Sequence, residues 1–187
     1  MTTHIMVDLE TLGTNPNSPI IAIGATDGTK IFYGKIKLKD IVGSISPDTV
    51  EWWLQQSPEA IQETFFSKNN LHTSFIFLLL EFSSWLSEVI KEAGEDYKIY
   101  SNGVDFDLVM LKETYRDHNW DLPWNSRKQM CYRTLKNQFP LIVLDDTEVA
   151  GIKHTALADA QYQHRHLIRI LNHIENMEEY YSADFRS

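Results

Sequence analysis

Apolar and polar positions change period along the chain, and those changes mark its elements. His4-Ile5-Met6-Val7-Asp8-Leu9-Glu10 runs apolar up to a carboxylate and then alternates with acids, which predicts a strand. Residues 11–19 are dense in Gly, Asn, Ser and Pro and read as a loop leading into a second apolar run, Ile20 to Ala25. Asp27-Gly28 predicts a hairpin turn into a third strand over Lys30 to Leu38, so three antiparallel strands come first. Ser46-Pro47-Asp48 and Ser57-Pro58-Glu59 each set a capping serine before a proline and an acid, which predicts two short helices reaching Leu54 and Phe66. From Phe75 to Lys91 the apolar positions 75, 79, 82, 86 and 89 keep a helical period, and Gly94 stands where a helix would end. Tyr97 to Ser101 is β-prone, and Phe106 to Tyr115 is helical again. A last long helix opens near Thr155, with Leu157, Ala160, Leu167, Leu171 and Ile174 along one face. The tail past Met177 is acidic and polar and is expected to be loose.

An antiparallel set followed by strands that alternate with helices predicts an α/β domain, a mixed sheet flanked by helices. Such sheets carry their sites at strand ends. The chain of 187 residues shows neither repeat nor linker, so residues 1–187 are expected to form a single domain. With 43% hydrophobic and 23% charged residues, a disordered or low-complexity chain is excluded. The lone Cys131 excludes an internal disulfide and any multi-cysteine metal site and suits a reducing compartment. Neither a membrane-length apolar run nor a leader-like start is present, so a cytoplasmic protein with no membrane partner is expected. The net charge of −9 works against attraction of nucleic acid to the whole surface, so any such contact must be local.

Three segments carry candidate chemistry. Asp8 and Glu10 are two apart on a strand and so share one face. Acids crowded in a core raise one another's pKa and need a cation, and a hard divalent metal suits oxygen ligands; acids at a solvated strand end are the plainer alternative. In Asn102-Gly103-Val104-Asp105-Phe106-Asp107, Asp105 suits a helix N-terminus, whereas Asp107 falls on the packed side and could reach the first strand. In His154-Thr155-Ala156-Leu157-Ala158-Asp159-Ala160, the small residues let a helix approach another backbone and bring Asp159 toward the first-strand acids. Four converging carboxylates could hold two divalent metals about 3.5 to 4 Å apart, the arrangement of in-line phosphoryl transfer. An imidazole titrates near neutrality and would serve beside them as the base. The chemistry this implies is phosphodiester hydrolysis.

In this order, and with His154 five residues before Asp159, Asp8-Leu9-Glu10-Thr11-Leu12-Gly13, Asn102 through Asp107, and His154 through Asp159 resemble the three motifs of the DEDDh 3'-5' exonucleases, although the spacing from Asn102 to Phe106-Asp107 is one residue longer than is common there. That family has a ribonuclease H-like fold and uses two metals. The resemblance implies Asp8, Glu10, Asp107 and Asp159 as metal-binding acids, His154 as general base, and two Mg²⁺ or Mn²⁺ ions as cofactors. Phe106-Asp107 matches the family's Phe-Asp pair and selects Asp107 over Asp105. Thr11 and Leu12 match positions that contact the terminal nucleotide. Thr49-Val50-Glu51-Trp52-Trp53-Leu54-Gln55-Gln56-Ser57-Pro58-Glu59-Ala60 looks like a feature of phage-encoded, RecE-like exonucleases, related to the phage DexA enzyme and a mycobacterial exoribonuclease.

Adjacent tryptophans cannot both face one helix core, so one is expected to stack on a base, and Trp53 is selected. Lys35, Lys37 and Lys39, or Arg127, Lys128, Arg133 and Lys136, could face phosphates. The Cys131 to Leu135 segment is given no role, and His164, His166 and His173 are expected on a helix surface. Trp120 and Trp124 are expected to be exposed and would suit a homodimer interface. The expected activity is removal of nucleoside monophosphates from single-stranded 3' ends, with DNA favoured over RNA and a phage or bacterial setting. A non-cleaving nucleic-acid-binding module of the same fold is the alternative from another class.

Overall fold

The computed structural model describes residues 2–41, 43–72, 74–103, 105–145 and 151–184, with side chains as far as Met177 in the last stretch. Five strands form one sheet: β1 Thr3–Thr11, β2 Ile20–Thr26, β3 Ile31–Lys35, β4 Tyr97–Ser101 and β5 Gln129–Cys131. Their order is β3-β2-β1-β4-β5, with β1–β2 and β2–β3 antiparallel and β1–β4 and β4–β5 parallel. The helices are α1 Pro47–Leu54, α2 Pro58–Ile61, α3 Phe75–Ala93, α4 Asp107–Asp117, α5 Tyr132–Gln138 and α6 Ala156–Asp184, and a π turn spans Gln62–Phe66. The sequence-predicted mixed sheet with flanking helices is therefore the observed architecture.

Local chemistry explains the element boundaries. The Ser46 and Ser57 side chains accept backbone N–H bonds from Thr49 and Ala60, which caps α1 and α2 with a proline in each first turn. Gly94, at φ 64°, ends α3. Alternate residues of β1 point to opposite faces. Ile5, Val7 and Leu9 join Leu78, Leu79, Phe82 and Leu86 of α3 and Leu108 and Leu111 of α4, while Met6 packs with Tyr100, Tyr132, Ala160 and Leu167 under α5 and α6. Asp8 and Glu10 have the parity of Met6 and so emerge on the α6 face.

Several sequence expectations are corrected. β3 ends at Lys35 instead of Leu38, and Lys35 is not part of a phosphate-facing stripe. Its side chain is 0% exposed and its Nζ lies 2.7 Å from Glu63 Oε1, because a buried ammonium must be paired. His164 and His166 are buried, not on a helix surface, since α6 lies against the sheet on one side and α5 on the other. Their Nε2 atoms donate to the carbonyls of His4 and Ile142, at 2.9 and 2.6 Å. Trp124 is buried and Trp120 half-buried in the cluster around Tyr115, so they do not form an exposed aromatic pair. The helix α6 continues past Met177, where a loose tail is expected, and residues 185–187 lie outside the described residues. Among the described residues no helix is long and apolar enough to cross a membrane.

Candidate active site

Asp8 pairs with Gly24 across β1–β2, and a Cβ on Gly24 would fall 2.2 Å from the Ala156 carbonyl carbon. Only glycine lets the first turn of α6 rest on β2 at that point. Ala156, Ala158 and Ala160 keep the helix equally close, and Asp159 is thereby delivered to the two β1 acids. One carboxylate oxygen from each of Asp8, Glu10 and Asp159 lies within 4.8 Å of the others. Glu10 is 7% exposed, and Asp8 and Asp159 are half-buried.

Asp107 opens α4 and is 2% exposed. Its Oδ1 accepts the Leu9 backbone N–H at 3.0 Å, so it is tied to the strand between the two acids. Asp105 is exposed, so of the two aspartates Asp107 is the one that faces inward. Val104 lies outside the described residues.

Burial and mutual repulsion shape the electrostatics. Burial, then the charges of Asp107, Glu10 and Asp159, hold the Asp8 carboxyl well above the usual carboxylate range, against a hydrogen bond from Gln163. Burial, then Asp159 and Asp107, do the same to Glu10. Burial raises Asp107 to about 6 although the Leu9 N–H and Arg133 favour its anion. Burial also raises Asp159, opposed by the neighbouring His154. Four crowded oxygen donors whose ionised forms lack sufficient cationic compensation fit hard divalent metal ions.

His154 stands just before α6 with φ 63°, a left-handed conformation that is rare outside glycine. Its backbone N–H donates to Asp159 Oδ2 at 3.1 Å, its Nδ1 lies 3.9 Å from the same oxygen, and its ring meets Trp52 edge to face at 5.1 Å. The imidazole is thus held at the edge of the acid cluster by Asp159 on one side and Trp52 on the other.

Asp8, Glu10, Asp107, His154 and Trp52 line a cleft of about 580 Å³ together with Thr11, Asn102, Phe106 and Arg133. The tryptophan expectation reverses. Trp53 is 3% exposed and donates through Nε1 to the Thr11 carbonyl, whereas Trp52 is 41% exposed. Trp53 packs on Leu12, Ile21 and Phe65, and this cluster also takes the Leu12 side chain into the core and away from the cleft. Thr11 reaches the cleft wall, with its hydroxyl donating to the Gly13 carbonyl at 2.8 Å.

Two further residues belong to this site, Gln163, which the sequence reading missed, and Arg133, which it named only within a possible phosphate-facing set. Gln163 is buried one turn beyond Asp159 and donates from Nε2 to Asp8 Oδ1 at 2.8 Å. Its position at i+4 from Asp159 was the available signal, because residues so spaced share a helix face. Arg133 is the one Lys or Arg among the described residues lining the cleft, and its Nη2 donates to the Asn102 carbonyl at 2.6 Å. It arrives from the short strand β5 and helix α5, which the sequence pattern did not disclose.

The comparisons with known proteins agree with this geometry. The model of the Rv2179c-like 3'-5' exoribonuclease domain matches residues 3–171. The nuclease domain of 3'hExo, a DEDDh family member crystallised bound to rAMP, superposes with a TM-score of 0.56 at 14% identity, covering 90% of this chain and 91% of that one. A full-length 3'-exonuclease superposes at 0.51 and 13% identity, with 90% of this chain aligned to 60% of that longer one. No curated protein matches at the sequence level. The family match over nearly the whole chain, on a fold it shares with a DEDDh family member and that gathers the acid cluster, makes this chain a member of the Rv2179c-like 3'-5' exoribonuclease domain family.

Proposed function

We propose that this chain hydrolyses the terminal phosphodiester at the 3' end of single-stranded nucleic acid and releases nucleoside 5'-monophosphates. The observation that carries the reading is the gathering of Asp8, Glu10 and Asp159 oxygens within 4.8 Å, beside a histidine anchored to one of those acids. Asp8, Glu10, Asp107 and Asp159 would hold two divalent ions, with Mg²⁺ or Mn²⁺ suited to carboxylate donors. Such ions supply charge stabilisation to the phosphoryl oxygens and to the departing 3' oxygen.

The chain's own groups do the rest. His154 takes a proton from the attacking water as the water oxygen bonds to phosphorus, and the P–O3' bond breaks with a proton delivered to the 3' oxygen. Asp159 orients His154 through its backbone N–H. Gln163 holds the Asp8 carboxylate in place. Trp52, exposed beside His154, offers a face to the terminal base, and Arg133 offers the cleft's cationic contact to a backbone phosphate.

The family's description as an exoribonuclease favours RNA ends over the DNA preferred on sequence grounds. A time course on matched 5'-labelled single-stranded RNA and DNA, with Mg²⁺, Mn²⁺ or EDTA and with His154→Ala alongside, tests the reading. A metal-dependent ladder shortening from the 3' end and absent from the variant is expected, with RNA consumed faster. A mobility shift of either strand without shortening under both metals would replace the nuclease by the binding-module alternative.

A further inference from the structure

A second cavity, of about 720 Å³, lies between α6 and the β2–β3 hairpin. It shares no lining residue with the cleft of the acid cluster. α6 crosses β2 with Ala156 over Gly24 and the His164 ring over Gly28, so the helix leaves the cleft and ends its crossing at the hairpin. Arg165 is six residues beyond Asp159, about 9 Å along the helix axis. Its lining is cationic and polar, with Arg165, Arg169, His173 and Asn172 from α6 and Thr29 from the hairpin. The hairpin's acid, Asp27, does not pair with Arg165, although its charge acts on the cavity-lining His164. Asp27 Oδ1 is turned back into its own turn, accepting the Thr29 and Lys30 backbone N–H groups and the Thr29 hydroxyl.

The decisive feature is Arg165. Its Nε and Nη2 are both buried and both lack a hydrogen-bond partner. A guanidinium keeps its charge throughout the working pH range, and leaving its donors desolvated and unmade is costly. These two donors form one edge of the planar group, the edge whose parallel N–H bonds match two oxygens of a phosphate or carboxylate. Arg165 is half-exposed and lines the cavity, so a turn about its terminal torsions presents that edge to an occupant. No carboxylate of the described residues takes it.

We propose that this cavity is a second phosphate-binding site, anchored by the Nε–Nη2 edge of Arg165. The same chemistry serves a free phosphate monoester or a backbone phosphate of a bound strand. Among the described residues the lining holds no Trp, Tyr or Phe ring on which a base would stack, which points to recognition of the phosphate itself.

The test uses the metal-free protein in EDTA, so it does not depend on hydrolysis. The Arg165 Nε–H resonance is followed by NMR while inorganic phosphate, a nucleoside 5'-monophosphate, a dinucleotide and a long single strand are added separately. A saturable shift of that resonance is expected, and Arg165→Gln is expected to weaken the tightest of these probes about tenfold, equivalent to about 1.4 kcal/mol. A gain in affinity from dinucleotide to long strand that Arg165→Gln removes assigns the site to backbone phosphate. Equal response to phosphate and monophosphate, with no gain from strand length, assigns it to a free monoester. An Nε–H resonance that does not move with any probe overturns the proposal and leaves water as the partner of that edge. If Arg165→Gln does not fold, the wild-type titration alone decides. A protein that cleaves but shows no shift refutes this site and leaves the nuclease standing, and a shift without cleavage does the reverse.

Discussion

Replacing Asp107 by asparagine should make the metal-free protein more stable and the enzyme inactive. Asp107 is 2% exposed and its carboxyl is raised to about 6 by burial, against 3.8 for the unperturbed group. Below 3.8 the proton is bound in both folded and unfolded chains and the site costs nothing. Between 3.8 and about 6 the unfolded chain releases its proton while the folded chain keeps it, and stability falls as pH rises. Above that window the loss is complete, and about two pK units correspond to roughly 3 kcal/mol. Asparagine keeps an oxygen for the Leu9 N–H and carries no charge, so it recovers most of that loss at neutral pH. For a chain of this size the gain is about 6 to 12 °C in melting temperature. The assay is thermal or urea unfolding in EDTA at neutral pH and again near pH 4, where wild type and variant should converge. Adding Mg²⁺ should narrow or reverse the order at neutral pH, because the metal binds the folded wild type; saturation at a hundredfold over its Kd contributes about 2.7 kcal/mol. A variant less stable than wild type in EDTA at neutral pH, or a gain indifferent to pH, would refute the reasoning.

The other residues of the cleft make distinct predictions. His154→Ala should lower kcat by about 10² to 10⁴ while Mg²⁺ still raises the melting temperature, because the role proposed for the histidine is to move a proton and not to hold the ion; an unchanged kcat would remove it from the base role. Trp52→Ala should raise KM for single strands by the equivalent of about 1 to 3 kcal/mol with stability nearly unchanged, whereas Trp53→Ala should destabilise the fold by about 3 to 5 kcal/mol, both readable by paired kinetics and urea unfolding. Arg133→Ala should weaken strand binding and reduce its salt dependence by about one unit of slope, measured by titration at several salt concentrations in EDTA. Gly24→Ala should push α6 off β2 at Ala156 and lower metal affinity, seen as a smaller Mg²⁺-induced shift in melting temperature; wild-type metal affinity would show that the close approach is not what delivers Asp159.

What the chain's own pattern determined was most of the elements, β5 and α5 excepted, and the candidate acids. Strand alternation, the capping serines before Pro47 and Pro58, the period of Phe75 to Val89 and the ordered motifs depend on short-range geometry, which neighbouring residues carry themselves. Asp8, Glu10, Asp159 and His154 were legible as candidates through the resemblance of the ordered motifs to a known family. Their meeting was legible only in part, through Ala156, Ala158 and Ala160; the glycine opposite Asp8 that permits it takes its meaning from strand register. Both tryptophans border the cleft, and tertiary structure alone decided which is exposed, because Leu12, Ile21 and Phe65 pack on Trp53 and leave Trp52 open beside His154. It decided the burial of Lys35, His164 and His166 for the same reason, since a polar side chain goes inside only where another element brings its partner. β5 is three residues long and shows no period, so Arg133 could be placed beside Asn102 only by the sheet that β5 completes. Residue type and spacing set what each segment can do, and the elements packed across from it set which of its side chains are free to do it.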